Sequence, residues 1–454
     1  MKTSFTNLEK ILKKRIGNAL YNTSYPLSPE DWKNYSKLGN FAMDVNQPMA
    51  FYIHIPFCCS RCSFCEYTIF SYRKTEDENS YMDIVQSDIN KFLDLNNDIT
   101  LYGFDIGGGT PTALKLDNFK VLMNLYENIM NRVETTPDFE PSIEASFESL
   151  GRRRGFLFDT DIEEQKIKEI YKTGFRRVSL GMKSTTISQL GSLRPLSESW
   201  SKIEEKRNIL NCLKNNGIEK INLDLMYGME GQNIDTLNQD LDILAILFPE
   251  QVTLYELRRN QIRDCDDREG KNIRDYHEVN FSQYEILYKG LTSLGYHAPF
   301  GQNTFTRTGS DQGMSSYLRH RMFDGWQYKG FGISAQSMSA NGISYSVGKN
   351  TGELRISPLL ETNTFEAQEF YSLPKAEMLS KFIAISGYSG AISLSGARRI
   401  YGPNFDRDYK DILDFMLAKG FAIIYDDNLR FTEEGFKIYG PLLSLFHISL
   451  EKDA

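Results

Sequence analysis

From residue 49 onward, short apolar runs alternate with longer stretches in which apolar residues recur every three to four positions. The short runs, 49–55, 100–106, 142–147, 176–181, 220–227 and 252–257, are rich in β-branched and aromatic residues and read as strands. The longer stretches, near 80–95, 115–133, 160–173, 199–216, 235–248 and 279–294, carry helical periodicity. Strands that alternate with helices imply parallel βαβ units joined by right-handed crossovers. Six such units predict an α/β barrel, or an open partial barrel, over residues 49–306.

The flanking segments read differently. Residues 1–48 are polar and broken by Asn, Pro and Gly, an extension with a short amphipathic helix around Leu8 to Leu20. Residues 307–372, rich in Gly, Ser and Asn, predict a connector beside the barrel mouth. Residues 373–454 predict a second unit with helices over 376–387, 392–401 and 406–419, a hairpin over 421–431 and a last helix over 433–447. Three helices and a wing suggest a winged-helix-like unit. It lacks the basic stripe of a DNA reader, so a docking or covering role is expected.

Polar residues interrupt the barrel pattern at recurrent places. A cysteine loop follows the first strand and Gly107-Gly108-Gly109-Thr110-Pro111-Thr112 follows the second. Glu144 lies on the third strand, Arg177 and Ser179 on the fourth, and Asp224 near the end of the fifth. In α/β barrels chemistry gathers at the C-terminal strand ends, so these residues are expected to converge.

Composition narrows the class. The chain has 454 residues, a net charge of −8 and six cysteines, too few for a disulfide framework. No apolar run reaches membrane-spanning length and the first residues lack the apolar core of a signal peptide. A cytoplasmic protein with neither nucleic-acid nor membrane partner is expected, and a monomer.

Three of the cysteines, Cys58, Cys62 and Cys65, form a compact C-x3-C-x2-C run. Iron–sulfur clusters are usually held by four thiolates, so three leave one iron open to a ligand that is not protein. Two plainer readings stand beside this one: a structural zinc site completed by His54, or inert buried thiols. Cys59 is expected to point elsewhere, and Cys212 and Cys265 read as ordinary thiols. The three glycines let backbone approach a ligand closely, here suiting an edge that binds a zwitterionic amine or carboxylate. Glu144, Arg194 and Asp224 supply charges matched to an amino-acid end and to ribose hydroxyls. Inside a strand, an unpaired Glu144 or Asp224 would be costly.

Tyr52-Ile53-His54-Ile55-Pro56-Phe57-Cys58, the glycine loop, Ser142-Ile143-Glu144, Arg177-Val178-Ser179-Leu180-Gly181 and Asn222-Leu223-Asp224-Leu225-Met226-Tyr227-Gly228 together resemble oxygen-independent coproporphyrinogen III oxidase and its radical SAM relatives. Gly330-Phe331-Gly332-Ile333-Ser334-Ala335 and the C-terminal segment extend the resemblance over nearly the whole chain. It implies a partial (β/α)6 barrel, one [4Fe-4S] cluster and at least one S-adenosylmethionine, with a second molecule in some members. Cleavage of that cofactor would give a 5′-deoxyadenosyl radical, and a flavodoxin or ferredoxin would supply the electron.

Carried over by motif, Cys58, Cys62 and Cys65 ligate the cluster, and Tyr52, Phe64, Gly108, Gly109, Thr110 and Glu144 line the cofactor site. Arg194, Asp224, Arg258 and Gln336 match further cofactor contacts, while Tyr52 and Lys183 are the candidate catalytic residues, with Lys183 also expected at the cofactor. The oxidase has glutamine where Lys183 and Asp324 stand, a further cysteine where Tyr67 stands, and Leu-Pro in place of Met229-Glu230. These departures leave the cluster ligands intact and bear on the second cofactor site and on the reaction.

A tetrapyrrole or another planar, carboxylated substrate is expected, its carboxylates met by arginines among Arg152, Arg153, Arg154, Arg258 and Arg259. For the oxidase, a propionate would lose hydrogen and carbon dioxide to give a vinyl group. A methyltransferase or haem-degrading relative and a haem-binding chaperone with little turnover are the alternatives.

Overall fold

The computed structural model describes residues 5–18, 29–62, 64–65, 67–71, 74–154, 157–185, 203–229, 231–257, 273–348 and 356–447. Six strands carry the first body of the chain: β1 (Met49–Ile55), β2 (Thr100–Gly108), β3 (Ser142–Ala145), β4 (Arg177–Lys183), β5 (Lys220–Tyr227) and β6 (Gln251–Glu256). Each is followed by a helix: α1 (Thr75–Leu95), α2 (Leu116–Met130), α3 (Glu164–Lys172), α4 (Ile203–Asn215), α5 (Ile234–Leu247) and α6 (Ile273–Ser293). Neighbouring strands pair in parallel from β1 to β6.

Alternation along the strands explains why this sheet curves around a polar interior. On β1, Phe51, Ile53 and Ile55 are fully buried in the core that the helices cover, while Tyr52 and His54 face inward. On β4 and β5 the same period sends Val178, Leu180, Leu223 and Leu225 outward and Ser179, Asn222 and Asp224 inward. Local signals start the helices: the Asn233 side chain accepts from the Asp235 and Thr236 N–H groups at 3.0 and 3.1 Å, capping α5.

Residues 307–372, expected as a connector, are built into the main sheet. The strand β7 (Thr304–Thr306) pairs antiparallel with β6. Beyond it, β8 (Tyr328–Phe331) pairs in parallel with the free side of β1, Gly330 opposite Tyr52. The strands β9 (Gln336–Ser339), β10 (Gly342–Tyr345) and β11 (Glu369–Tyr371) continue antiparallel from β8, and Ser36–Leu38 pairs last. The sheet is an open path, in which the seven parallel strands run β8-β1-β2-β3-β4-β5-β6. Arg177 begins β4 and therefore lies at the end opposite the cysteine loop, a correction to its expected place at the mouth. Its guanidinium donates to Gln251 Oε1 at 2.9 Å, Ser142 Oγ at 2.7 Å and the Gly313 carbonyl at 3.4 Å, tying the barrel floor to the segment beneath it.

That segment, 313–324, packs against β2. Gly103 permits the approach, since a side chain there would collide with the Tyr317 backbone. The C-terminal unit has the expected winged-helix arrangement: helices Lys375–Gly387, Leu394–Tyr401 and Lys410–Ala418, with an antiparallel sheet of Ala391–Ser393, Asn428–Phe431 and Ala422–Tyr425. Strand replaces helix at Ala391–Ser393, and the expected last helix is two short ones, Glu433–Phe436 and Tyr439–Ser444. The N-terminal helix Phe5–Asn18 ties the two bodies together. Leu8, Ile11 and Leu12 are buried, Phe5 packs edge-on to Phe415 at 5.6 Å, and Glu9 pairs with Lys419 at 3.2 Å.

Candidate functional site

The cysteine loop leaves β1 and is held by the glycine loop that leaves β2. Gly109 N–H donates to the Ile55 carbonyl at 2.8 Å and Thr110 N–H to the Phe57 carbonyl at 2.7 Å. Gly108 N–H donates to Glu144 Oε2 at 3.2 Å. These donors are therefore engaged within the protein. A zwitterion at this edge would meet carbonyl acceptors, which match an ammonium and not a carboxylate. The glycines are needed for the fit: a Cβ at Gly107 would lie 2.6 Å from Glu144 Cδ, and one at Gly109 would lie 2.7 Å from the Phe57 carbonyl oxygen. Gly108, at φ +106°, lies against the His54 ring.

Cys58 and Cys62 are buried, Cys65 is half-buried and Cys59 is exposed. Cys58 Sγ lies 3.6 Å from Thr110 Oγ1. Burial raises the Cys65 thiol above its ordinary value, opposed by the Tyr67 backbone, with Cys62 raising it and Arg61 and Lys183 lowering it. Three thiols with a lysine close by are a donor set that a thiolate-bound cluster could use. Among the described residues no three His, Cys, Asp or Glu side chains stand close enough for a single metal ion. A cubane needs a wider spread than one ion, because each thiolate takes a different iron. Residues Ser63 and Glu66 of this loop lie outside the described residues.

Beneath the two loops, the barrel interior opens into a cavity of about 700 Å³ that runs to the C-terminal unit. Glu144 is exposed to this cavity although protein surrounds it on all sides. Burial, and then repulsion from Asp224, push the Glu144 carboxyl up to about 7, against the Gly108 N–H and the Lys183 and Arg177 charges. Asp224 is likewise raised by burial, opposed by Lys183 and Arg177 and by hydrogen bonds from Asn222 at 2.8 Å and Ser179 at 3.3 Å. Lys183 reaches the same place from the end of β4, at φ +69°, after a register shift between Gly181 and Lys183. Its Nζ lies 6.0 Å from the Phe64 ring centroid, and Phe64 packs on Met226, Met229 and Leu257.

Tyr52 lines the cavity, its ring stacked on Tyr317 with centroids 5.9 Å apart. Burial, then Glu144, raise its hydroxyl well above the ordinary value, so it stays protonated and serves as donor or wall rather than base. Gln336 lines the cavity between two hydroxyls: the Tyr328 hydroxyl donates to its carbonyl and its amide donates to Tyr345 Oη at 2.6 Å. Asp324 pairs with His320 Nδ1, and His320 Nε2 meets Asp138 at 2.9 Å.

Thus Tyr52, Phe64, Lys183, Glu144 and Asp224 are brought together. Arg194, Arg258, Arg259, Glu230 and Cys265 lie outside the described residues. Arg152, Arg153 and Arg154 fall on a strand that pairs only with Leu157–Ile162, and their side chains lie outside the described residues.

Two cavity residues escaped the sequence reading. Asp105 is raised to about 7 by burial, opposed by its hydrogen bond from Ser315 Oγ at 2.7 Å, and its Oδ1 is buried without a partner. It stands on β2 at the same parity as Gly107, an acid in an apolar run, which is the signal that marked Glu144. Arg321 is the other. Trp32 Nε1, Asn303 Oδ1 and Arg321 Nε join Asp105 Oδ1 as buried polar atoms without a hydrogen-bond partner, and all four residues line this cavity. Orphaned polar atoms gathered around one void are what a ligand site with its ligand removed looks like.

Comparison with known proteins agrees with this geometry. Residues 52–244 match the radical SAM superfamily. The chain is 29% identical over 210 residues to the haem chaperone HemW of Buchnera aphidicola subsp. Acyrthosiphon pisum (strain APS), covering 46% of this chain and only 50% of that protein. It is 22% identical over 391 residues to haem chaperone HemW of Bacillus subtilis (strain 168), covering 85% of this chain and 95% of that one. The structure of coproporphyrinogen III oxidase (HemN) from Escherichia coli, described as a radical SAM enzyme, superposes with a TM-score of 0.67 and 20% identity over 88% of this chain and 90% of that one. Residues 52–244 thus carry a radical SAM domain, and the chain as a whole shares the fold of that HemN structure.

Proposed function

We propose that this protein is a radical SAM enzyme acting on a tetrapyrrole or another planar, carboxylated molecule in the cavity below its cofactor loops. The observation that carries the reading is the continuity of that cavity. A single void of about 700 Å³ touches Glu144 and Asp224 near the loops and Lys381, Ile385 and Tyr388 of the C-terminal unit. One end suits a cationic cofactor, and the remainder leaves room for a second molecule beside it.

In this reading Cys58, Cys62 and Cys65 hold a [4Fe-4S] cluster, whose open iron takes the amino-carboxylate end of S-adenosylmethionine. Bound there, the cluster supplies the electron that cleaves the sulfonium and yields the 5′-deoxyadenosyl radical. The chain's own residues do the positioning. Carbonyl oxygens of the glycine loop and the Glu144 carboxylate would accept from the N–H groups of the cofactor's amino end. Asp224, oriented by Asn222 and Ser179, accepts from ribose hydroxyls. Lys183 favours the charged form of both acids, against the burial that raises them. Tyr52 and Tyr317, stacked on each other, form a wall of this continuous cavity.

The test is an anaerobic reaction with reconstituted cluster, reductant and methyl-deuterated S-adenosylmethionine, offered coproporphyrinogen III or haem. Mass loss equal to carbon dioxide supports the oxidase reaction, and gain of deuterated methyl supports methyl transfer. Deoxyadenosine release with neither change would reject both substrates. A second reading, a haem-carrying chaperone with little turnover, is favoured by the likeness to the HemW relatives. Stoichiometric haem binding without cofactor cleavage would select it.

A further inference from the structure

Among the described residues, no carboxylate pairs with Arg321, which stands beside the cavity. It follows His320 in the one-turn segment His320–Asp324 and lines the void. Its Nη1 donates to Tyr317 Oη at 3.1 Å, and its guanidinium carbon lies 4.7 Å from the Tyr328 ring centroid and 5.6 Å from that of Tyr317. Its Nε is buried without a partner. The groups that act on it electrically are tyrosines: Tyr317, Tyr328, Tyr102 and Tyr67.

A guanidinium keeps its charge in any protein environment, so burial without an anion is costly and ring faces offset only part of that cost. Trp32 Nε1, a second orphaned donor that lines the cavity, belongs to the same apolar cluster as Tyr317 and Tyr328. Both groups donate and neither accepts. What would satisfy them is an acceptor with negative charge. The walls beside them, Tyr345 and Tyr371, present flat rings to the same space.

We propose that Arg321, with Trp32 as an accompanying donor, is the anion subsite of this cavity and takes a carboxylate of a flat, conjugated ligand. The assignment deepens the substrate reading above and rests on that cavity being the substrate chamber. It adds to the arginines expected from the sequence one on the segment that floors the barrel. Lys381, buried on the first helix of the C-terminal unit, lines the same void and adds positive charge to that end.

The experiment titrates the full-length protein by fluorescence with two pairs of probes: coproporphyrin III and its tetramethyl ester, and naphthalene-2-carboxylate and its amide. Each acid is expected to bind roughly ten- to a hundredfold tighter than its uncharged partner, the range of a charge-assisted hydrogen bond. Arg321→Met should erase that preference, and Arg321→Lys, which keeps the charge but not the fork, should retain part of it. Circular dichroism melting of both variants reports folding. If Arg321→Met melts early, the diminished preference of Arg321→Lys carries the test. Preference for naphthalene-2-carboxylate that depends on Arg321, without coproporphyrin binding, upholds the subsite and rejects the tetrapyrrole. Coproporphyrin and its ester bound alike by wild type leave the tetrapyrrole standing and overturn the subsite. An acid preference unchanged in Arg321→Met, or no binding of either acid, also overturns it.

Discussion

The two ends of the cavity solve the problem of buried charge in opposite ways. At the loop end, Glu144 and Asp224 stand among donors: the Gly108 N–H, Asn222, Ser179 and Lys183. Their acidity is still weakened, because burial and mutual repulsion outweigh those partners. At the floor, His320 is fully matched, held between Asp138 and Asp324 and stacked on Trp326 with ring centroids 4.3 Å apart. Among the described residues, the groups that act most on its neighbour Arg321 are tyrosines. Two adjacent cationic-type residues thus take opposite environments, one closed on itself and one facing the void. The lesson is that a saturated cluster supports the fold, whereas charge left uncompensated beside a cavity marks where a ligand completes the structure.

The largest effect should come from the cysteines. Cys62→Ala is expected to abolish cluster absorbance in the visible range and all cofactor cleavage, while the exposed Cys59→Ala retains both. Absorbance and cleavage kept by Cys62→Ala would remove the cluster from the loop end altogether. Next, Glu144→Gln should weaken S-adenosylmethionine binding by about tenfold, the worth of one charge-assisted contact, measured by equilibrium dialysis. Its pH dependence gives a sharper check. The folded-state carboxyl titrates at about 7, so wild-type affinity should fall as pH drops below 7 and Glu144→Gln should flatten that slope. The same raised value means that ionising Glu144 disfavours the empty fold. Stability without cofactor should therefore fall as pH rises from the unfolded carboxyl range, about 4.5, through 7.

Gly109→Ala places a methyl 2.7 Å from the Phe57 carbonyl oxygen and should cost about 1–3 kcal/mol by overpacking, seen as earlier thermal unfolding and poorer cluster retention. The smallest effect is expected at the saturated cluster. Asp324→Gln removes one of two carboxylates on His320 and should cost about 1 kcal/mol, with cofactor affinity unchanged. A large loss of cofactor binding in Asp324→Gln would erase the distinction between the two ends.

Much of the barrel was legible because strand and helix periods are local properties of the chain. Strand β1 reads as a strand from Met49-Ala50-Phe51-Tyr52-Ile53-His54-Ile55 alone, and the glycine loop falls at the end of β2 as expected. Glu144 and Asp224 were legible as acids in apolar runs, and Asp105 satisfies the same rule without having been noticed. Strand β8 was not legible as part of the sheet. Tyr328-Lys329-Gly330-Phe331 is short and glycine-containing, and its place is set by a partner nearly 280 positions away. Arg321 was hidden for a related reason. Nothing local to His-Arg-Met-Phe-Asp tells that the histidine finds two acids and the arginine none; Asp138 decides it from far upstream.

The late pairing of β8 with β1 also has a temporal meaning. During synthesis, Tyr52 leaves the ribosome long before Gly330, its eventual neighbour, and at ordinary elongation rates the gap is on the order of tens of seconds. For that interval the first strand offers one bare edge, a template for unwanted pairing, and the cysteines next to it lack their final cover. The strand that begins the barrel is thus the one completed last.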